Sequence, residues 1–258
     1  MPSIYAHHRF GAEMIAKMPK RQQRTVTRFR QLYDMGLQGP DIFYYQGLIK
    51  GDSVGDFYHN ETGAAFFERV CAVVRFNPSE GARAYLYGVL AHYTLDSLSH
   101  PFINRMAQEG TLNHSQIETE FDRFLLFMDG KRPPHLQDLS KHIRLTPGEC
   151  QTAAAFYPKV KSNQVKSHVH RMAVITKALV LPQGLRRKLI EKTIGILQPR
   201  IAGRFMSVHT VNASRKLNPD LMRLYEIASQ RYPVLLEQVQ AHIRNKEPLG
   251  TDFSVPFC

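Results

Sequence analysis

Five side chains able to bind a metal fall between residues 92 and 118: His92, Asp96, His100, His114 and Glu118. Their spacing places them among apolar neighbours. Tyr85, Val89, His92, Asp96 and His100 step by four, three, four and four residues, and His114, Glu118, Phe121, Leu125 and Met128 by four, three, four and three. Such steps keep side chains on one face of an α-helix, here the face that packs inward. A buried, unpaired carboxylate is costly, so two acids beside three imidazoles on such faces point to cations that neutralise them. Imidazole with carboxylate and no nearby cysteine favours zinc over iron or manganese. A single His–Asp pair at i,i+4 is usually only a helix-surface hydrogen bond. Two such pairs within 27 residues, with a fifth ligand between them, form a metal-site pattern.

A helix rises about 1.5 Å per residue, so His92 and Asp96 lie about 6 Å apart along the axis and can share an ion, whereas His92 and His100 lie about 12 Å apart and cannot. Pro101 disfavours helix at the residue before it, which predicts a helix end near His100. His100 then pairs with His114 and Glu118 from the following helix. Two ions is the minimum.

The elements that must carry these ligands read as helices. Periodicity predicts helices over 8–17, 21–34, 62–75, 79–99, 114–129, 149–157, 163–180, 184–196 and 219–245, with Pro233 as a kink in the last. Phe66, Val70, Val73 and Val74 follow the i, i+4, i+7, i+8 pattern. Asn60 and Asn113 read as helix starts. Alternating runs suited to strands are scarce, so the class is all-α. Residues 36–60 read as irregular structure. Tyr44, Tyr45, Phe57 and Tyr58 within that stretch are candidates for a cleft wall, although such aromatics more often belong to a core. The Gly- and Pro-rich stretch 130–148 divides a metal-bearing region, 1–130, from a basic helical region, 131–258, expected to pack together as one unit.

The segment His92-Tyr93-Thr94-Leu95-Asp96, then His100, then His114-Ser115-Gln116-Ile117-Glu118 resembles the zinc-dependent phospholipase C family, which is related in fold to the S1/P1 nucleases. That family's motif runs His-Tyr-x-x-Asp, a His, and after a gap His-x-x-x-Glu. Upstream landmarks also recur in order: His7 (with His8 beside it), Asp41 in Gly39-Pro40-Asp41, and His59 in Tyr58-His59-Asn60. The resemblance covers roughly residues 1–130. It implies a multi-helix phospholipase C or P1 nuclease-like bundle around a multinuclear site. Asp41, His59, His92 and Asp96 would hold one zinc, His100, His114 and Glu118 a second, and Asp96 would bridge to a third bound with His7. Asp41 is by the same resemblance the general base or the orienter of the attacking water. The chain also departs from the pattern. It has no tryptophan to supply the N-terminal ligand of the secreted phospholipases and begins Met1-Pro2. The Asp96–His100 gap is two residues shorter, the Pro before that His is missing, and Leu95 stands where Gly or Thr is usual.

At 258 residues the chain can bury a substantial core. No run approaches the ~18 apolar residues of a membrane span. No basic head followed by an apolar run opens the chain, which gives the expectation of a cytoplasmic protein. Cys71, Cys150 and Cys258 lack pairing or metal spacing, in keeping with a reducing compartment. Charge is uneven: residues 1–130 hold 13 Lys and Arg against 14 Asp and Glu, and residues 131–258 hold 21 against 8. A cationic flank beside a zinc cluster would attract a phosphate-bearing substrate. The segment from His168 to Ile190 mixes apolar and basic residues and offers a peripheral contact with an anionic membrane, although two amphipathic helices broken at Pro182-Gln183-Gly184 are the simpler reading.

These features predict a metal-dependent phosphodiester hydrolase, phospholipase C-like, in which metal-bound hydroxide attacks phosphate. The substrate would be a phospholipid or another phosphodiester. An S1/P1-type nuclease or nucleotidase is the alternative, in which the basic half would bind nucleic acid; a metal-binding scaffold without turnover is the other. The absence of His-Glu-x-x-His argues against a zincin protease.

Overall fold

The computed structural model describes residues 3–45, 54–110, 112–197 and 203–258. Met1 and Pro2, and residues 46–53 of the stretch read as irregular, lie outside it. The chain is all-α; among the described residues there is no strand, only one isolated antiparallel pairing of Thr62 with Pro256. The α-helices are α1 (Ile4–Lys17), α2 (Lys20–Arg28), α3 (Arg30–Gly36), α4 (Val54–Asn60), α5 (Gly63–Phe76), α6 (Glu80–Glu109), α7 (His114–Met128), α8 (Pro147–Ala154), α9 (Ser162–Ala178), α10 (Leu185–Leu197) and α11 (Asn212–Asn245). Short 3-10 turns lie at Gly39–Tyr45, Pro134–Leu136, Leu139–His142 and Thr251–Phe253.

Helix α6 is the axis of the molecule. Ser79 caps it by accepting from the Ala82 N–H, and Glu80 complements the positive end of the helix dipole. Every residue from Ala84 to Asp96 is buried. A helix buried on all sides needs neighbours on all sides, and α1, α2, α3, α5, α7, α8 and α11 supply them. The closest approach is with α3. A Cβ on Gly36 would stand 2.3 Å from the Tyr85 carbonyl oxygen, and one on Gly88 2.3 Å from that of Tyr33. This glycine pair lets two backbones touch and brings the loop after α3 onto the His92 turn of α6.

The structure corrects the sequence reading at Pro101. Helix α6 does not end near His100; it runs through the proline to Glu109. The proline removes the hydrogen bond that would end on the Ser97 carbonyl. Pro101 is exposed and Ser97 half-buried, so water can satisfy that carbonyl while the packed flanks hold the helix. A second correction concerns the stretch 36–60: Asp41 sits in a 3-10 turn and His59 in α4. Helix α11 also starts earlier than periodicity indicates and takes in both Pro219 and Pro233.

Two anchors place the outer ligand-bearing elements. Asn113 and Gln116 form a reciprocal capping box that fixes the start of α7 at His114. The buried Asp122 of α7 accepts from the Tyr5 N–H at 2.9 Å, from the Ala6 N–H at 2.8 Å and from the Ser3 hydroxyl, satisfying the otherwise orphaned first turn of α1 just before His7. Burial pushes the Asp122 carboxyl up to about 6, with those donors holding it back from rising further.

Candidate metal centre

Candidate ligand atoms from four elements meet along α6 in two groups. His7 of α1, Asp41 of the 3-10 turn, and His92 and Asp96 of α6 each offer an atom, all within 4.8 Å of one another. His100 of α6 with His114 and Glu118 of α7 form the second such group. Asp96 is the hub: one carboxylate oxygen lies 3.0 Å from His7 Nε2 and 3.7 Å from His100 Nε2, and the other lies 3.0 Å from His92 Nε2. Glu118 Oε1 stands 3.3 Å from His100 Nε2 and 3.4 Å from His114 Nε2. His59 Nε2 lies 2.9 Å from Asp41 Oδ1. The geometry therefore groups His7 with Asp41, His92 and Asp96, and sets His59 against Asp41. The adjacent His8 faces elsewhere, its ring stacked 4.2 Å from that of His142.

Several of these atoms are close yet not hydrogen-bonded. His59 Nε2, His92 Nε2, His114 Nε2, Asp41 Oδ1 and Asp96 Oδ2 are buried without a hydrogen-bond partner of acceptable geometry, although carboxylate and imidazole atoms face each other at 2.9–3.4 Å. Distance alone would read these as ion pairs, but hydrogen-bond geometry is not met at these atoms, which leaves them available to a cation. Two ligands of one tetrahedral zinc, each about 2.0–2.2 Å from the ion, lie about 3.3 Å apart. The His100–Glu118 and His114–Glu118 separations match that spacing, while the pairs at 2.9–3.0 Å around Asp41 and Asp96 are shorter and would open slightly around an ion.

The tautomers agree. Nδ1 of His59 contacts the Gly55 carbonyl at 2.8 Å, Nδ1 of His92 the Leu37 carbonyl at 3.1 Å, and Nδ1 of His100 the Phe257 carbonyl at 3.0 Å. Nδ1 of His114 meets the Asn104 side-chain oxygen at 2.7 Å. Carbonyl oxygens only accept, so each Nδ1 carries a proton, and Nε2 is the atom each ring turns to the pocket, free to bind an ion once it is deprotonated. Gly39, with φ +47, leaves room for the His92 ring, since a Cβ there would stand 2.5 Å from its Cδ2.

Burial opposes charge on Asp41, Asp96, Glu118, His7, His92 and His100, and the carboxylates stay ionised nonetheless. Burial would raise the Asp96 carboxyl, but His100, His92 and His7 hold it well below the usual carboxylate range. For Glu118 burial is again outweighed, with His114 and His100 contributing. For Asp41 the counterweights are His59 and His92. Burial wins at His92, whose imidazole is driven down. At His100 burial is overcome by Asp96 and Glu118, and the ring is held well above its ordinary value.

A cavity of about 20 Å³, enough for one water molecule, is lined by His7, Asp96 and Glu118 together with Ser99 and Ile103, so it touches both groups. His114 is the most exposed of the ligands, its side chain 23% accessible against 5% for Glu118. Among the candidate cleft aromatics, Tyr45 and Tyr58 are buried core residues, Tyr44 is half-buried with its ring 4.9 Å from that of His59, and Phe57 is exposed.

Sequence reasoning missed the groups that orient the imidazoles. Asn104 could have been found, because it extends the row His92, Asp96, His100 by one more step of four. The carbonyls of Leu37, Gly55 and Phe257 could not, since a backbone group leaves no residue-type signal.

A family model described as zinc dependent phospholipase C matches residues 6–169, more than half of the 258-residue chain and a span containing every ligand named above. Comparison with curated proteins and with solved structures finds no match.

Proposed function

The chain belongs to the zinc-dependent phospholipase C family, a family of hydrolases, and from that premise we propose that it cleaves the phosphodiester of a glycerophospholipid to diacylglycerol and a phosphorylated head group. The observation that carries this reading is the pair of buried ligand groups joined through Asp96 within the matched span. His7, Asp41, His92 and Asp96 would hold one zinc, and His100, His114 and Glu118 a second. Zinc bound there supplies Lewis acidity toward phosphate oxygens and lowers the pKa of water. The chain's own side chains do the rest. Asp41, ionised and facing His59, is the proton acceptor within the first group. The carbonyl-anchored histidines fix the ligand geometry, and the apolar walls formed by Leu95, Ile103, Phe121 and Leu221 restrict bulk water.

The substrate test is a panel of a phosphatidylcholine analogue, single-stranded DNA and 3′-nucleotides, each with zinc present. Lipid cleavage alone is expected. Cleavage of DNA or nucleotides without lipid would make the protein a nuclease on this scaffold, and zinc binding with no turnover on any of them would make it a metal-binding scaffold. On the lipid substrate Asp41→Asn should lower kcat by about 100- to 10,000-fold, the usual contribution of a positioned general base; unchanged kcat would remove Asp41 from that role.

Helix α10 is the proposed contact with the lipid surface. Leu185 and Leu189 are 84% and 65% exposed, one helical turn apart, and Arg186, Lys188 and Lys192 are exposed around them. An apolar pair ringed by cations suits an anionic interface. Co-sedimentation with phosphatidylserine-containing vesicles should be lost in a Leu185→Glu, Leu189→Glu double variant; equal binding by the variant would exclude this face. Among the described residues no helix is long and apolar enough to cross a membrane.

A further inference from the structure

The segment 251–258 lies more than eighty residues beyond the span that matches the family model, yet it reaches the metal ligands. Its path is fixed at several points. The Tyr93 hydroxyl shares its one proton between the carbonyls of Asp252 at 2.9 Å and Val255 at 3.0 Å. The Gly63 N–H donates to the Val255 carbonyl at 2.9 Å, Pro256 pairs with Thr62, and the Cys258 N–H reaches the His59 carbonyl at 3.3 Å. Asp252 is also paired with Arg231 of α11.

Phe257 sits at the inner end of this path and is fully buried. Its ring centroid is 6.0 Å from that of His59 and 5.9 Å from that of His92, and the ring makes edge contacts with Phe66 at 5.1 Å and Tyr93 at 5.0 Å. Its carbonyl accepts the Nδ1–H of His100. One residue thus touches imidazoles associated with both ligand groups. The other oriented histidines draw their acceptors from nearer in the chain: Gly55 four residues before His59, Asn104 ten before His114, and Leu37 fifty-five before His92. His100 draws its acceptor from 157 residues away.

We propose that residues 251–258 are a strap that positions the metal ligands, with Phe257 as its positioning residue: its ring wedges His59 and His92, and its carbonyl sets the tautomer and tilt of His100. The strap rests on the zinc reading given above. Its physical basis is that groups bonded to the far nitrogen of a ligating histidine control ring orientation and basicity. No Phe257 side-chain change removes the carbonyl, but loss of the ring removes the packing that sets its position between the backbone anchors on either side.

The experiment is zinc binding by the full chain, measured by chelator competition, alongside the visible spectrum of the cobalt(II)-substituted protein. Phe257→Ala should weaken one zinc by about 10- to 100-fold and alter the cobalt spectrum, with helicity retained. Phe257→Leu should recover most of the affinity. Val26→Ala, a core change on α2, should lower stability and leave zinc affinity as in the wild type, which separates positioning from general destabilisation. If Phe257→Ala does not fold, Tyr93→Phe, which removes the proton shared between two strap carbonyls and keeps the ring, should show a smaller loss in the same direction. Wild-type affinity and spectrum in the folded variant, or in Tyr93→Phe where that stands in, would overturn the strap. A wild-type chain that binds no zinc would instead overturn the functional reading beneath it.

Discussion

Asp96→Asn should reduce phospholipid hydrolysis by more than about 100-fold, because even outer partners of metal ligands cost 10- to 100-fold when removed and Asp96 is the hub of the inner set. Its two oxygens face His7, His92 and His100. The amide keeps the size of the side chain but withdraws the negative charge and replaces one acceptor with a donor. His7 and His92, stacked at 4.4 Å, would lose the anion that bridges their Nε2 atoms and keep only Asp41 as a neighbouring carboxylate. Both ligand groups should weaken, so zinc content should fall together with kcat. The fold should persist, since α6 is held along its length by apolar packing. Circular dichroism with metal analysis and lipid turnover checks all three; activity within a few-fold of wild type would remove Asp96 from the centre.

The second large effect is on stability. Asp41, Asp96 and Glu118 are buried and ionised, with Asp41 and Asp96 offering oxygens within 4.8 Å of one another and Asp96 and Glu118 both facing His100. Without a cation their mutual repulsion and desolvation are met only by partial protonation of the histidines. A ligand that binds only the native state stabilises it by about 4 kcal/mol at a free concentration 1,000 times its Kd. At about 2–4 °C per kcal/mol for a chain of this size, chelation should lower Tm by roughly 8–16 °C. Zinc should restore it, and magnesium, a poor match for imidazole, should not. The pH dependence has a definite sign. Zinc needs the His100 lone pair, and the acids beside that ring favour its protonated form, so zinc affinity should fall as pH is lowered and zinc uptake should release protons. A Tm indifferent to chelator would mean that the acids are balanced without metal.

How much of this could be read from the sequence follows from how local each signal is. His92, Asp96, His100, His114 and Glu118 lie on two helices, and helical periodicity exposes them directly. His7, Asp41 and His59 occupy separate elements and make no local pattern; only the family resemblance singled them out. The helix end expected at Pro101 was wrong because burial of α6 on both sides of His100 outweighs one lost hydrogen bond at an exposed position. The pairing of His100 with Glu118 and His114 did not depend on that end, because the rise of the helix already separates His100 from His92. The 3-10 turn at Asp41 and helix α4 at His59 were hidden by a glycine-rich stretch that lacks apolar periodicity. Least legible were the acceptors behind the imidazoles. Leu37 is placed by the contact of Gly36 with Gly88, and Phe257 by a segment folding back from α11. Both are consequences of packing between elements far apart in the chain.

The most direct test of the account is the zinc-to-chain ratio of protein equilibrated with zinc and freed of excess by desalting, measured by elemental mass spectrometry. Two or more tightly held zinc ions per chain are expected, falling in Asp96→Asn and Glu118→Gln. A ratio well below one, unchanged by either substitution, would contradict the metal centre and with it the proposed hydrolysis.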